Sequence, residues 1–233
     1  MGKPIPGARS AGAGAGVNEL ELQRTVTRIA LEASASSGFA LAGSGAIREH
    51  GVINRMSEDV DLFTSNTNEG TFGAAIDRVI DAFEAAGYAV EVGRRTQQFA
   101  RIHVRTVDGQ QVDIDMGMDW REAEPVTLDV GPVLSIQDAI GNKVSALYSR
   151  AEARDFFDVD AIRASDHYTD TQLIVAAAER DPGFDAVMFA NQLERVNRLT
   201  DDDLKEYGVD ATELTAIKER LTSWAVQLRS THH

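Results

Sequence analysis

The chain contains no cysteine. That excludes disulfides, thiolate catalysis and cysteine-ligated zinc, and it makes a cytoplasmic setting the default expectation. It also lacks an apolar run long enough to cross a bilayer, so no membrane partner is expected. The opening stretch, MGKPIPGARSAGAGAG, has no apolar segment of the kind a secretory signal needs, and residues 1–16 are expected to form a flexible arm. His232-His233 reads as the beginning of a purification tag and carries no chemical weight. Basic residues are scarce: 23 Lys and Arg stand against 37 Asp and Glu, a net charge of −14. A protein that coats long stretches of nucleic acid needs many more cationic contacts to phosphate than that.

What is present is enough for a sizeable core. The 233 residues are 43% apolar, which fits one catalytic domain with a helical annex. Residues 17–36 place Leu20, Val26, Ile29, Ala30 and Ala33 at helical spacing. A short apolar strand runs from Phe39 to Ala42, and residues 45–50 suit a single helical turn. A second strand is expected around Val60 to Phe63. The cluster Ser65-Asn66-Thr67-Asn68 then opens a helix that Gly87 stops. Strands follow at 88–92, 99–106 and 111–116, the last two joined through Asp108-Gly109, a strong hairpin signal. Pro125 and Pro132 bracket an expected loop. From Ser135 the pattern is helical: 135–149, 153–165, 169–180, 184–197 and 211–229. Mixed elements first and helices afterwards make an α+β plan, divided here into a core at 17–134 and a helical region at 135–233.

The chemistry concentrates in residues 41–63, LAGSGAIREHGVINRMSEDVDLF. Gly43-Ser44 closes an apolar strand, and Asp59 and Asp61 follow with Val60 between them. On a strand, residues i and i+2 point to one side. The two carboxylates therefore stand together while Val60 and Leu62 enter the core. Acids held that close repel unless something neutralises them, and a hard divalent cation with oxygen ligands, Mg²⁺ or Mn²⁺, is the usual answer. The Gly-Ser turn is placed to cradle the phosphates of an NTP.

A two-metal centre needs a further acid from a neighbouring strand. The segment Val112-Asp113-Ile114-Asp115-Met116 offers two on one face, so the third carboxylate is Asp115 or Asp113. The competing reading of that pair is a solvent-facing polar edge. In the proposed arrangement Asp59, Asp61 and the third Asp hold metal, and Ser44 meets the β/γ phosphates. Further on, Lys143, Leu147 and Arg150 recur on one helix face, and Arg154-Asp155 opens the next helix with Asp158 three residues later. Lys143 and an arginine facing the acidic strands would neutralise phosphate. Arg154 would otherwise be pinned by Asp155 or Asp158 in an ion pair. Residues 94–105, RRTQQFARIHVR, add Arg94, Arg95, Arg101, Arg105 and His103 without an acid, either a contact to a compact polyanion such as a nucleotide or the end of an RNA, or a set of surface ion pairs.

These residues carry a family resemblance. A Gly-Ser turn, an Asp-x-Asp strand introduced by Ser57-Glu58, and a later Lys143-x3-Leu147-x2-Arg150-x3-Arg154-Asp155-x2-Asp158 resemble the AbiEii/MenT nucleotidyltransferase toxins of the DNA polymerase β-like superfamily. The stretch Asp115-Met116-Gly117-Met118-Asp119-Trp120-Arg121 also resembles a pattern of that family and favours Asp115 over Asp113. The resemblance covers about residues 38–163. It implies a polymerase β-like mixed sheet with flanking helices and a helical C-terminal region. It implies an NTP used with Mg²⁺, transfer of NMP to the 3′ end of tRNA, and a cognate antitoxin protein. By motif it makes Ser44, Asp59 and Asp61 the catalytic core, Lys143 a triphosphate contact, and Asp155 and Asp158 the acids of the second signature; Gly43 and Arg154 are expected with them in the nucleotide site. Two other functions compete: transfer to a protein or small-molecule hydroxyl, which the acidic surface favours, and an inert binding module.

Overall fold

The computed structural model describes residues 12–231 except 56 and 58, with the side chains of 12–18 and 206 also left aside. Helix α1, Gly12–Ala33, begins inside the stretch expected to be an arm; residues 1–11 of that arm, and His232-His233, lie outside the described residues. Strand β1, Ala40–Leu41, runs directly into α2, Gly43–Glu49, which starts at the glycine itself and makes about two turns rather than the single turn expected from residue 45. Strand β2, Asp59–Thr64, carries the Asp-x-Asp motif, and α3, Glu69–Ala85, is capped by Asn68, whose side chain accepts from the Thr71 N–H. Then come β3, Ala89–Arg95, β4, Phe99–Arg105, and β5, Gln111–Met118.

The loop expected between Pro125 and Pro132 is instead a hairpin of two strands, β6, Val126–Leu128, and β7, Gly131–Val133. Strands of three residues are too short for alternation to show in sequence. The hairpin completes a seven-stranded sheet in the order β3-β4-β5-β2-β1-β7-β6, with β2 parallel to β5 and β7 parallel to β1. Helices α4, Ile136–Ser149, α5, Ala153–Ala164, α6, Asp170–Arg180, α7, Ala186–Leu193, α8, Asp201–Leu204, and α9, Ala211–Thr231, follow. The expected helix at 184–197 ends its α-helical part at Leu193 and tightens into a 3-10 turn, Glu194–Arg198.

The period-2 pattern of β2, β4 and β5 divides the sheet into two chemically different faces. Val60, Leu62, Ile102, Val104, Val112, Ile114 and Met116 are buried on one side, where α1 and α3 lie with Val26, Ala30, Phe72, Ile76, Val79 and Phe83. The other face carries the acids. At about 25 cal/mol per Å² of apolar surface, each of these large side chains contributes roughly 1.5–3 kcal/mol, which is why the acids are confined to the opposite face. The apolar core continues among the C-terminal helices, where Phe189 meets the fully buried Trp224 edge-on at 5.3 Å.

Candidate active site

Strand register assembles the site row by row. On the polar face, Asp59 of β2 is aligned with Asp113 of β5, which is aligned with His103 of β4. The next row is Asp61, Asp115 and Arg101, and the row after that is Phe63, Gly117 and Phe99. One carboxylate oxygen from each of Asp59, Asp61 and Asp115 lies within 4.8 Å of the others. Asp113 lies outside this group. Its carboxylate is bonded to His103 Nδ1 at 2.8 Å and accepts from Gln111 Nε2 at 2.8 Å. Burial alone would raise the Asp113 pKa, but these hydrogen bonds hold it below the usual range.

Asp59 and Asp61 behave as crowded acids should. The Asp59 pKa is raised, first by burial and next by the charge of Asp115. Asp61 is pushed up to about 7 by burial and then by Asp59. Both carboxylates hold protons more tightly than isolated ones, and a divalent cation relieves that crowding. The donor set is entirely oxygen, which fits Mg²⁺ or Mn²⁺.

Gly43 explains the Gly-Ser turn. Its φ is +57°, and a Cβ built there would sit 1.8 Å from Asp61 Oδ2. Only glycine permits both the left-handed backbone and the approach of α2 to the carboxylate. Gly43→Ala is therefore expected to destabilise the fold by about 1–2 kcal/mol and to weaken Mn²⁺ binding, read by calorimetry. Unchanged stability and affinity would mean that α2 can shift freely away from Asp61.

Beside the trio lies a buried ionic knot. Asp158, fully buried, accepts from Lys143 Nζ at 2.6 Å, Ser44 Oγ at 3.0 Å and Arg55 Nε at 2.5 Å. Arg55 also donates to Ser44 Oγ at 2.8 Å. Burial alone would raise the Asp158 pKa, but the charges of Lys143 and Arg55 outweigh it and hold the pKa low. Lys143 is thus a buried lysine paired with an acid. Asp155 is also fully buried, at the start of α5, where it accepts from the Glu152 N–H and bidentately from Arg150 at 2.8 Å. Neither Asp155 nor Asp158 lines the open cleft. Arg154 does, and its side-chain hydrogen bond goes to Glu152 at 3.1 Å rather than to Asp155 or Asp158.

The cleft has a volume of about 720 Å³. Its floor is the polar sheet face, and Lys143, Arg150, Arg154 and Arg180 of the C-terminal helices form its other wall. Arg101 of the basic stretch faces this site: its guanidinium grips Asp115 bidentately at 2.6 and 2.5 Å and lies 3.9 Å from Asp59. The remainder of the stretch disperses. Arg95 pairs with Asp77 at 2.6 Å, Arg105 with Gln111 at 2.8 Å, and Arg94 lies over Phe99 at 5.5 Å. Sequence reading missed Arg55, which comes from the irregular stretch after α2 and carries no pattern. It also missed the pairing of Arg101 with Asp115, for which β4–β5 alternation was the available signal.

A family model for the nucleotidyl transferase AbiEii toxin of type IV toxin–antitoxin systems matches residues 26–223. The chain belongs to the AbiEii nucleotidyltransferase toxin family. Membership makes it a nucleotidyltransferase enzyme, with an NTP substrate and an antitoxin partner. Three solved structures share the fold. JHP933 from Helicobacter pylori is 20% identical, with a TM-score of 0.57 over 91% of this chain and 93% of that one. A putative nucleotidyltransferase from H. pylori is 19% identical, with a TM-score of 0.59 over 91% and 96%. MenT4, a nucleotidyltransferase toxin from Mycobacterium tuberculosis H37Rv, is 14% identical, with a TM-score of 0.55 over 88% and 83%. No curated protein matches. Among the described residues, no helix is long and apolar enough to cross a membrane.

Proposed function

We propose that this AbiEii-family enzyme transfers NMP from an NTP to a hydroxyl at the 3′ end of an RNA, tRNA by preference, in the cytoplasm. The observation that carries the reading is the convergence of Asp59, Asp61 and Asp115 beside Gly43-Ser44 at the floor of one cleft. Those three acids would hold Mg²⁺ or Mn²⁺, which when bound supplies charge neutralisation for the triphosphate and for the attacking oxygen.

The chain's own residues divide the remaining work. Gly43 lets α2 approach Asp61. Lys143, oriented by Asp158, and Arg154, at the cleft wall, provide positive charge toward the triphosphate. Ser44, fixed by Asp158 and Arg55, sets the turn against the phosphates. Asp115, the member of the trio contributed by the neighbouring strand, would take the proton of the acceptor hydroxyl once Arg101 has left its oxygens. We assign Asp155 and Asp158 to positioning Arg150 and Lys143, respectively.

The test is incubation of the protein with each labelled NTP, Mg²⁺ and total tRNA. Label in RNA supports the reading. Label in protein or a small molecule with none in RNA overturns it in favour of the other transferase, and absence of NTP binding even with Mn²⁺ leaves a binding module. A second prediction concerns the metal. Arg101 hydrogen-bonds both oxygens of Asp115 and so competes with a cation for that carboxylate. Arg101→Met is expected to tighten Mn²⁺ binding roughly fivefold, as removal of about 1 kcal/mol of competing ion pair requires. Calorimetric titration that finds equal affinity would show that Arg101 does not compete.

A further inference from the structure

The cleft continues past the acidic trio along the same sheet face. One register step beyond Asp61, Asp115 and Arg101, about 7 Å along the strands, is the row of Phe63, Gly117 and Phe99. All three line the cleft. Gly117 lies between the two in register and lets the Phe63 ring pack down on the sheet: a Cβ there would stand 3.3 Å from that ring. The chain then leaves β5 through Asp119 and Trp120, part of a sequence pattern that the chemistry above leaves unused.

Trp120 is 48% exposed, whereas Trp224, the other tryptophan of the chain, is fully buried. The exposed Trp120 indole offers a flat face on which a planar group can stack. It is held. Arg180 lies over its ring at 5.7 Å, donates to the Trp120 carbonyl at 2.9 Å and to Asp119 at 2.5 Å, and itself lines the cleft. The Met118 N–H donates to Gln98 O at 3.0 Å, which ties this corner to the start of β4, where Arg94 lies over Phe99. Two aromatic rings, each with an arginine stacked on it, thus stand at the cleft, Phe99 in its lining and Trp120 beside the lining residues Asp119 and Arg180, in a protein of net charge −14.

The geometry points to a track for an unpaired RNA end, running from the Trp120–Arg180 rim across the Phe63–Gly117–Phe99 floor to the acidic trio. Bases stack on the aromatic faces, and Arg180 and Arg94 meet the phosphates. The cationic wall of Lys143, Arg150 and Arg154 is assigned to the triphosphate, so the aromatic row on the sheet face is assigned to the acceptor rather than to the NTP. This rests on the RNA-acceptor reading above.

The full chain is titrated with a short single-stranded RNA bearing a free 3′ hydroxyl, and with the same strand in a blunt duplex. The single strand is expected to quench tryptophan emission, the duplex not. Trp120→Phe should abolish the quench and keep transfer within a few-fold, because phenylalanine still stacks. Trp120→Ala and Phe99→Leu should raise the KM for RNA roughly 5- to 150-fold, with the Kd for NTP unchanged. RNA labelling with no quench and an unaltered KM in these variants would overturn the track and leave the acceptor reading standing. A rise in Kd for NTP instead would assign the aromatic floor to the nucleotide's base and overturn the track. Wild-type protein that neither binds nor labels RNA removes the acceptor reading, and the track with it.

Discussion

Asp61→Asn is expected to lower nucleotide transfer by roughly a thousandfold or more and at the same time to make the metal-free protein more stable. The first effect follows from the loss of one of the three carboxylate charges whose oxygens meet within 4.8 Å, since metal stabilisation of a phosphoryl transition state is worth several kcal/mol. The second follows from crowding. The Asp61 pKa is pushed up to about 7 by burial and by Asp59, so ionised Asp61 opposes folding. The sign is that of a carboxyl which binds its proton more tightly folded than unfolded. Raising the pH from about 4 through 7 removes a proton that the unfolded chain has already lost, and stability falls across that window. Above it, asparagine in place of aspartate is expected to add about 1–3 kcal/mol to the metal-free protein, a rise in Tm of several degrees. Thermal unfolding at pH 5.5 and pH 8, with and without Mn²⁺, checks this. The wild type should lose stability between the two without metal and recover it at pH 8 with metal; the variant should respond little to either. A less stable variant whose pH response matched the wild type would mean that the trio is not an electrostatically strained metal cradle.

This conflict between stability and chemistry is also why part of the site is legible in sequence. Strands disfavour aspartate, so Asp59-Val60-Asp61 and Asp113-Ile114-Asp115 stand out, and period-2 alternation puts each pair on one face without any knowledge of the fold. What alternation does not supply is which of Asp113 and Asp115 joins the first pair, because both point the same way. That depends on the parallel β2–β5 register, a pairing between segments some fifty residues apart, and on the neighbours it brings: Asp115 stands beside Asp61, while Asp113, beside Asp59, is taken by His103 and Gln111. The resemblance supplied the preference for Asp115 where the local pattern was silent. The same long-range register turned Arg101 from a member of a basic stretch into the partner of Asp115, while Arg95 went to Asp77 on α3. The α+β plan was legible because hydrophobic periods change cleanly at Ser135. The β6–β7 hairpin was not, because its strands have three residues each. Asp155 shows the competing demand on a conspicuous acid: at the third position of α5 its carboxylate accepts from the N-cap N–H, a structural task that sequence alone does not separate from nucleotide binding.

Asp158→Ala is expected to be among the most destabilising single changes outside the apolar core, by about 3–5 kcal/mol. Asp158 has no exposed surface and is the carboxylate to which buried Lys143 is paired, with Arg55 on its other oxygen. Removing it leaves two cations facing each other in a site from which water is largely excluded, and frees the Ser44 hydroxyl from one of its anchors. A drop in Tm of about 10 °C is expected for a chain of this size. The partner change decides whether the cost is electrostatic. Lys143→Met removes the charge that Asp158 neutralises and keeps much of the side chain's volume, so adding it to Asp158→Asn should recover part of the stability lost by Asp158→Asn alone. Catalysis should not recover, because the lysine is then missing from the triphosphate side of the cleft. Additive losses in the double variant would mean that the knot is held by packing rather than by charge, and Lys143 would then lose its place as a residue poised by Asp158 for the nucleotide.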